Sequence, residues 1–227
     1  MENFNKYFDH TMLKADATED DIVSLLDDAI RYDFASVCVN GCYVSFARKY
    51  LDRAGSRIPV AAVTGFPLGA MSTASKLSET QLALDDGAGE IDMVMNVGMA
   101  KSGDWDYILD EITQASELCH DRNGILKIIL ETCYLSPDEI RKACHIATSA
   151  GADFVKTSTG FGNYGAREED LRLMKEAVSG KAQIKASGGI KSLEQALKFI
   201  VAGADRLGCS ASVSIMEEYN KTNLLEE

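Results

Sequence analysis

Three lysines of this chain lie inside short apolar segments, where a charged amine is costly unless it is paired or neutral. They are Lys127, Lys156 and Lys185. The segment around Lys156 leads at once into the polar residues Thr157-Ser158-Thr159-Gly160, which is typical of the mouth of a site. A desolvated lysine becomes neutral and nucleophilic, so this pattern favours Schiff-base formation with a carbonyl.

Two aspartates share the same kind of setting. Asp92 lies in the apolar segment 90–96, and Asp9 lies in a short segment near the start of the chain. A single strand lysine is more often at a sheet edge or turned towards solvent, but a closed barrel has no edges. Lys156 and Lys185 fall on consecutive strands, roughly 4.8 Å apart, so their like charges lower one pKa. Asp92 is then placed to shuttle protons at the substrate carbons.

A second set of residues suits a phosphate group. Residues 187–192 (Ser-Gly-Gly-Ile-Lys-Ser) and 208–212 (Gly-Cys-Ser-Ala-Ser) each follow an apolar segment and open a helical one. Backbone amides at a helix start, unobstructed where the residue is glycine, bind phosphate well. The other interpretation is that these glycines only permit tight turns. Because both loops carry the pattern, we predict a phosphate site.

Short apolar runs alternate with longer amphipathic stretches along the whole chain, which predicts alternating strands and helices. The predicted strands are Asp9–Leu13, Phe34–Val39, Ile58–Thr64, Glu90–Met95, Ile125–Glu131, Ala152–Thr157, Ala182–Ser187 and Ala204–Gly208. The predicted helices are 18–31, 43–54, 72–86, 103–120, 136–149, 167–178, 191–201 and one that starts near Ser210.

Eight strand–helix pairs predict a TIM (β/α)8 barrel, an α/β fold, as a single domain over residues 1–227. An open doubly wound sheet is the main alternative. It usually needs fewer units, and no Gly-x-Gly-x-x-Gly follows the first strand. The near-repeat Ala-Gly-Ala-Asp at 150–153 and 202–205 also fits repeated βα units. In such a barrel the active site lies at the carboxyl ends of the strands.

The composition excludes several classes of partner. The formal net charge of -12 disfavours nucleic acid and anionic membranes, although a local site can still be positive. No apolar run reaches membrane-spanning length, and the first residues lack a signal core. Six cysteines without a framework of spacings predict reduced thiols and a cytoplasmic protein. Cys38 and Cys42 have no second pair, and the three histidines are dispersed, so no metal site is predicted.

The strand-end motifs, taken together, resemble those of the 2-deoxyribose-5-phosphate aldolase family. The resemblance spans about residues 9–213. The motifs that carry it are Asp9-His10-Thr11, Val37-Cys38-Val39-Asn40, Val63-Thr64-Gly65-Phe66-Pro67-Leu68-Gly69, Glu90-Ile91-Asp92-Met93-Val94, Leu126-Lys127-Ile128-Ile129-Leu130-Glu131-Thr132, Val155-Lys156-Thr157-Ser158-Thr159-Gly160-Phe161 and Lys185-Ala186-Ser187-Gly188-Gly189-Ile190.

The resemblance implies a class I aldolase, a lyase without cofactor or metal, that works in deoxyribose phosphate catabolism. Its substrate would be 2-deoxy-D-ribose 5-phosphate, which would be cleaved to acetaldehyde and D-glyceraldehyde 3-phosphate. Its partner would be a second copy of the chain, with which it would form a homodimer. By motif match the site residues are Lys156 as the Schiff-base lysine, Lys185 and Asp92 in proton transfer, Asp9, Lys127, Thr159 and Cys38 in support, and Gly160, Gly188, Gly189, Gly208 and Ser210 at the phosphate.

Some positions depart from the family pattern. Gly41 stands where a proline is common, and Phe161 where some members have a lysine. Ala211 replaces a serine, which predicts a phosphate contact that is lost or shifted to Ser212. The sequence ends in Leu-Leu-Glu-Glu without the tyrosine that some members use, which bears on turnover rate.

The sequence leaves two questions open. The first is whether Cys38 lies near the substrate or is an ordinary small core residue. The second is whether the chain is this aldolase, another Schiff-base aldolase for a phosphosugar, or a catalytically inactive barrel that only binds a phosphosugar.

Overall fold

Eight parallel strands, each hydrogen-bonded to the next along the chain and the last to the first, form a closed barrel in the computed structural model, which describes residue 1 and residues 3–223. The strands are β1 (Phe8–Met12), β2 (Ser36–Val39), β3 (Val60–Thr64), β4 (Glu90–Val94), β5 (Ile125–Ile129), β6 (Phe154–Lys156), β7 (Gln183–Ser187) and β8 (Arg206–Cys209). The predicted (β/α)8 barrel is confirmed.

Helices follow the strands and cover the outside of the barrel. They are α1 (Glu19–Tyr32), α2 (Val44–Arg53), α3 (Thr73–Asp85), α4 (Val97–Ser102), α5 (Trp105–His120), α6 (Pro137–Ser149), α7 (Glu168–Val178), α8 (Leu193–Val201) and α9 (Ser212–Asn223). Short 3-10 turns lie at Phe4–Tyr7, Gly41–Tyr43 and Thr132–Tyr134.

Local sequence explains where most helices begin. Thr18 and Ser136 each form a capping box with the residue three positions on, so the free amides of the first turn are satisfied. The short helix α4 is missing from the sequence prediction, which began a single helix at residue 103. Six residues that include Gly98 carry too little periodicity to reveal a helix. Gly103, in the left-handed region, ends α4 before α5 begins.

The aspartate of the repeated Ala-Gly-Ala-Asp sequence makes the same kind of hydrogen bond at both places. Asp153 accepts a hydrogen bond from the Leu126 amide at 2.8 Å, and Asp205 accepts one from the Ile184 amide at 2.8 Å. Each aspartate thus ties the start of its strand to the preceding strand. Gly151 and Gly203 have φ of 89° and 114°, a backbone conformation that favours glycine.

Two neighbouring strands, β5 and β6, end slightly earlier than the apolar pattern predicts. The predicted strand over 125–131 stops at Ile129, because Glu131 adopts a left-handed conformation with φ of 54°. The predicted strand over 152–157 shortens to Phe154–Lys156. Apolar character continues past both strands because the residues that follow are also buried, so hydrophobicity alone does not mark the last hydrogen-bonded residue.

Candidate active site

A cavity of about 490 Å³ opens at the carboxyl ends of the strands. Its walls come from the segments at the ends of β1, β6, β7 and β8. They are lined by Thr11, Met12, Leu13, Lys14, Lys156, Thr159, Gly160, Phe161, Ser187, Gly188, Gly189, Ile190, Lys191, Gly208, Cys209 and Ser210. A cavity at this face of a barrel is the expected place for an active site.

Asp92 is the centre of a buried charge cluster beneath this cavity. Its Oδ1 accepts a hydrogen bond from Lys127 Nζ at 2.8 Å. Its Oδ2 accepts one from Lys156 Nζ at 2.7 Å and one from Lys185 Nζ at 2.8 Å. The barrel therefore brings together the three residues proposed for catalysis, which lie 29 to 93 positions apart in the chain, and adds Lys127.

A second layer of charges supports this centre from below. Lys185 Nζ lies 2.5 Å from Asp9 Oδ2, and Lys127 Nζ lies 2.5 Å from Glu90 Oε2. Arg206 closes the layer with ion pairs to Asp9 and, at 3.3 Å, to Glu90. The sequence prediction gave no role to Glu90 or Arg206. The available signal for Glu90 was its position two residues before Asp92 on the same strand, which places both side chains on the same face.

The electrostatic environment shifts the pKa values of Lys156 and Lys185 in opposite directions. Burial lowers the pKa of Lys156, and the Lys185 ammonium lowers it further, although Asp92 opposes both effects. Burial alone would also lower the pKa of Lys185, but the carboxylates of Asp9 and Asp92 outweigh burial and raise it. Lys156 is thus the more easily neutralised amine, while Lys185 keeps its proton.

The aspartates hold their negative charge firmly. Burial alone would raise the pKa of Asp92, but Lys127, Lys156 and Lys185 outweigh burial and hold that pKa well below its ordinary value. Burial is likewise outweighed at Asp9 by Lys185, Lys127 and Arg206, so its pKa is also lowered. Both carboxylates are therefore ionised at neutral pH.

Lys156 is the member of the charge cluster that lines the cavity, at 3 % exposure, whereas Asp92 and Lys185 are fully buried behind it. Cys38 is also fully buried, packed with Ala61 and Val63 inside the barrel. Burial raises the pKa of its thiol. The structure thus places Cys38 near the lysines as a small core residue and not on the cavity wall.

The five predicted phosphate residues all line the cavity: Gly160, Gly188, Gly189, Gly208 and Ser210. Gly160, Gly188 and Gly189 have φ between 78° and 91°, which requires glycine-like freedom.

Gly208 ends the predicted strand 204–208 and begins the predicted phosphate segment 208–212, and in the structure it lies inside β8. A Cβ there would lie 2.9 Å from Lys185 Cε, so this glycine makes room for the lysine.

The predicted shift of a phosphate contact to Ser212 is not supported. Ser212 is buried and is not among the residues that line the cavity, and its hydroxyl donates to the Cys209 carbonyl oxygen at 3.1 Å. The segment 224–227, at which the missing tyrosine was noted, lies outside the described residues.

Lys14 is a cavity residue that the sequence did not reveal, whereas Lys191 lies in the loop 187–192 that was predicted to bind phosphate. Both lysines stand exposed on the wall, and no carboxylate of the described residues lies within ion-pair distance of either ammonium. Phe161 is 60 % exposed and packs edge-on against Phe66 with ring centroids 5.4 Å apart. Exposed lysines are common on any surface, so the sequence around Lys14 carries no signal that it lies at the cavity.

Among residues 1 and 3–223, no group of three or more His, Cys, Asp or Glu side chains is arranged to hold a metal ion. The helices within the same residues include none with the length and apolarity to cross a membrane. The predicted independence from cofactor and metal remains a prediction.

Known proteins that resemble this chain in sequence and structure are aldolases. Residues 4–215 match the model of the DeoC/LacD family aldolases. The chain is 53 % identical over 213 residues to the deoxyribose-phosphate aldolase of Finegoldia magna, covering 94 % of this chain and 98 % of that protein. It is 50 % identical to the aldolase of the same name from Thermococcus gammatolerans, covering 93 % and 94 % of the two chains. A tetrameric deoxyribose phosphate aldolase from Aeropyrum pernix superimposes with a TM-score of 0.89 at 28 % identity, covering 95 % and 90 %.

Proposed function

This chain belongs to the DeoC/LacD family of aldolases, and from that premise we propose that it reversibly cleaves 2-deoxy-D-ribose 5-phosphate through a Schiff base on Lys156. The products are acetaldehyde and D-glyceraldehyde 3-phosphate. The reaction class is that of a carbon–carbon lyase acting on a small phosphosugar. The resemblance noted in the sequence and the comparisons agree on this activity.

One observation carries the assignment of Lys156: the charge balance of the buried cluster. The carboxylates of Asp9, Glu90 and Asp92 are balanced by Lys127, Lys185 and Arg206, all held in ion pairs. Lys156 would be a fourth positive charge against three negative ones. Since a buried cluster is most stable when its charges balance, Lys156 is the amine that gives up its proton.

A neutral Lys156 at the cavity wall can attack the C1 aldehyde of the open-chain sugar. The Nζ lone pair forms the carbon–nitrogen bond and a carbinolamine results, whose protonated hydroxyl leaves as water to give the protonated imine. Removal of the proton from the C3 hydroxyl then breaks the C2–C3 bond. The electron pair of that bond moves into the protonated imine and forms a neutral enamine. Glyceraldehyde 3-phosphate leaves, C2 is protonated, and hydrolysis releases acetaldehyde and the free lysine.

Asp92 and Lys185 serve the proton transfers of this sequence. Asp92 begins as a carboxylate, because its pKa is held well below the ordinary value, and therefore acts first as a proton acceptor. Its Oδ2 lies 2.7 Å from Lys156 Nζ, within reach of the atom that loses and regains protons. Lys185 keeps its charge and holds Asp92 in place from the other side at 2.8 Å.

The phosphate end of the substrate fits the opposite part of the cavity. Gly188 and Gly189 precede α8, and Ser210 precedes α9, so this part of the cavity wall lies near two helix starts, where backbone amides favour a phosphate. Lys14 and Lys191 add positive charge at the same wall of an otherwise acidic protein. Phosphate binding there would orient C1 towards Lys156.

Assembly and location are part of the proposal. We expect a homodimer, in line with the resemblance, although the Aeropyrum pernix relative is a tetramer. We place the protein in the cytoplasm. The six cysteines are unpaired, as expected for thiols kept reduced there. Neither nucleic acid nor membrane is expected as a partner, given the net charge of -12.

Borohydride trapping tests the assignment. With acetaldehyde present, reduction should fix a two-carbon adduct on Lys156, identified by peptide mass spectrometry. Lys156→Ala should lose both the adduct and the cleavage of deoxyribose 5-phosphate while keeping its circular dichroism spectrum. Lys181→Ala, which changes an exposed lysine at the far end of β7, is the matched control and should retain both. An adduct-free but folded wild type would overturn the mechanism.

Assays with deoxyribose 5-phosphate and with other aldehydes separate the proposed aldolase from an inactive binding barrel and from a different aldolase. An inactive binding barrel would be stabilised thermally by deoxyribose 5-phosphate without releasing acetaldehyde. A different aldolase would show a higher kcat/KM with another donor or acceptor aldehyde in a panel. Release of acetaldehyde from deoxyribose 5-phosphate, followed in a coupled assay, decides between these and the proposed reaction.

A further inference from the structure

Glu131 is a buried carboxylate that takes no part in the proposed reaction. It is 3 % exposed and lies just beyond β5, at the carboxyl face of the barrel. Its backbone has φ of 54° and ψ of 63°, a left-handed conformation that is unfavourable for a residue with a Cβ. A residue keeps such a backbone conformation only where the contacts around it stabilise it, and residues of this kind are often found at functional sites.

The carboxylate of Glu131 is used to hold the loop that follows β6. Its Oε2 accepts hydrogen bonds from the Thr159 amide at 3.2 Å and from the Thr159 hydroxyl. The Thr159 hydroxyl oxygen in turn accepts a hydrogen bond from the Phe161 amide at 3.0 Å. Hydrogen bonds with a charged partner are the stronger kind, so this relay fixes residues 159–161 firmly.

The same loop forms part of the cavity and touches the next loop. Thr159, Gly160 and Phe161 all line the cavity. Gly160 also lies against Gly188 of the β7 loop, so closely that a Cβ on Gly188 would be 3.4 Å from the Gly160 Cα. Displacing Thr159 would therefore move two of the glycines at the phosphate end. Glu131 itself is not on the cavity wall.

We infer that Glu131 is a positioning residue that determines affinity for the phosphorylated end of the substrate. It acts through Thr159 on the loop 159–161 and, through Gly160, on Gly188. It touches neither Lys156 nor the reacting carbons, so its influence falls on the binding of the phosphate and not on the bond-breaking steps. The inference rests on the proposed function for its substrate.

Kinetics with two substrates test this role. Glu131→Ala and Thr159→Val should each raise KM for deoxyribose 5-phosphate about tenfold, the effect of losing a hydrogen bond to a charged group. For Glu131→Ala, which changes a residue off the cavity wall, kcat and the kcat/KM for unphosphorylated 2-deoxyribose should stay within about threefold of the wild type. The double variant should be no worse than the poorer single variant, because both changes break one relay.

Conservative variants and a control complete the design. Glu131→Gln should raise KM less than Glu131→Ala does, because the amide oxygen can still accept both bonds that Oε2 accepts, although without the negative charge. Thr159→Ser should also keep the relay. Thr80→Val removes a buried threonine hydroxyl in α3, outside the cavity, and should leave both substrates unaffected. Unfolding midpoints of all variants show which of them are folded.

Clear outcomes would overturn the inference. An unchanged KM in folded Glu131→Ala, or equal losses with both substrates, would assign Glu131 a merely structural role. If Glu131→Ala fails to fold, the KM of Glu131→Gln for deoxyribose 5-phosphate carries the test, and an unchanged KM there overturns the inference. If the wild type releases no acetaldehyde, the proposed function fails instead. The Kd for inorganic phosphate then decides the inference, which is wrong if wild type and Glu131→Ala bind phosphate equally.

Discussion

Lys156 and Lys185 are register partners on β6 and β7, and both ammonium nitrogens contact the same atom, Oδ2 of Asp92, at 2.7 and 2.8 Å. Two like charges held so close to one carboxylate oxygen cannot be equally stable. The second carboxylate of Lys185, from Asp9 at 2.5 Å, decides that Lys185 keeps its proton. Lys156, without such a partner, is left as the nucleophile.

Removing the charge of Lys185 should move the pH dependence of the reaction. In Lys185→Met the pKa of Lys156 rises, because the neighbouring ammonium no longer lowers it. Less neutral amine is then present at pH 7. The acidic limb of kcat/KM should shift to higher pH by at least about one unit, as removal of one close charge commonly produces. A pH–rate profile measures this shift. Lys181→Met is the matched control, and an unmoved limb would refute the pairing.

Asp92→Asn should separate proton transfer from nucleophilic attack. Loss of the carboxylate lowers the pKa of Lys156, since Asp92 raises it, so the amine stays reactive. Turnover should fall by about 10²- to 10⁴-fold, the usual contribution of a positioned acid or base. Borohydride should still trap the acetaldehyde adduct on the folded variant. Near-normal turnover would remove Asp92 from the proton pathway.

Gly208→Ala should disturb catalysis through Lys185. The new Cβ would lie 2.9 Å from Lys185 Cε and 3.2 Å from Ser187 Cβ. Because the ammonium is held by two aspartates, the lysine cannot turn aside freely. We expect kcat/KM to fall by about 100-fold, the consequence of a misplacement near 1 Å. Gly41→Ala, where a Cβ meets nothing within 4 Å, is the control. Equal activity of the two variants would contradict the role of Gly208.

Arg206→Met should destabilise the fold in a pH-dependent way. Arg206 ion-pairs with Asp9, and together with Lys185 and Lys127 it lowers the pKa of Asp9 below the ordinary 3.8. A lowered folded pKa contributes stability that is fully present above the unfolded pKa and is lost as pH falls through the folded pKa. The wild type should exceed the variant by about 1–3 kcal/mol at pH 7. Urea unfolding at pH 7 and at a series of acidic pH values should show this difference shrinking only well below pH 3.8, as Asp9 of the folded protein takes up its proton. A constant difference would exclude the Asp9 contribution.

Lys14→Met and Lys191→Met should weaken binding of the phosphorylated substrate. Each lysine is exposed at the cavity wall, so the loss is that of a screened charge, roughly a threefold rise in KM. The effect should diminish at high salt, and kcat should not change. Lys49→Met alters an exposed lysine away from the cavity and serves as the control. A rise in KM for unphosphorylated 2-deoxyribose would contradict a role at the phosphate.

The fold and much of the candidate site were predictable from sequence. Alternating apolar and amphipathic segments record which residues are buried, and burial follows the period of the local element. That is why the barrel and the strand positions of Lys127, Lys156 and Lys185 could be predicted. The short helix α4 and the strand end before Glu131 could not, because neither leaves a periodic signal.

Sequence also determined the types of residue available for chemistry, since a lysine in an apolar strand must be paired or neutral wherever it lies. Which of the three lysines is neutral was decided only by the tertiary structure. That choice depends on the carboxylates within about 4 Å of each amine, because the interaction between charges falls with distance. Glu90 and Arg206 lie on the strands next to those of Lys127 and Lys185, whereas Asp9 comes from the first strand and is brought beside Lys185 and Arg206 by closure of the barrel. Lys156 is left as the unbalanced amine.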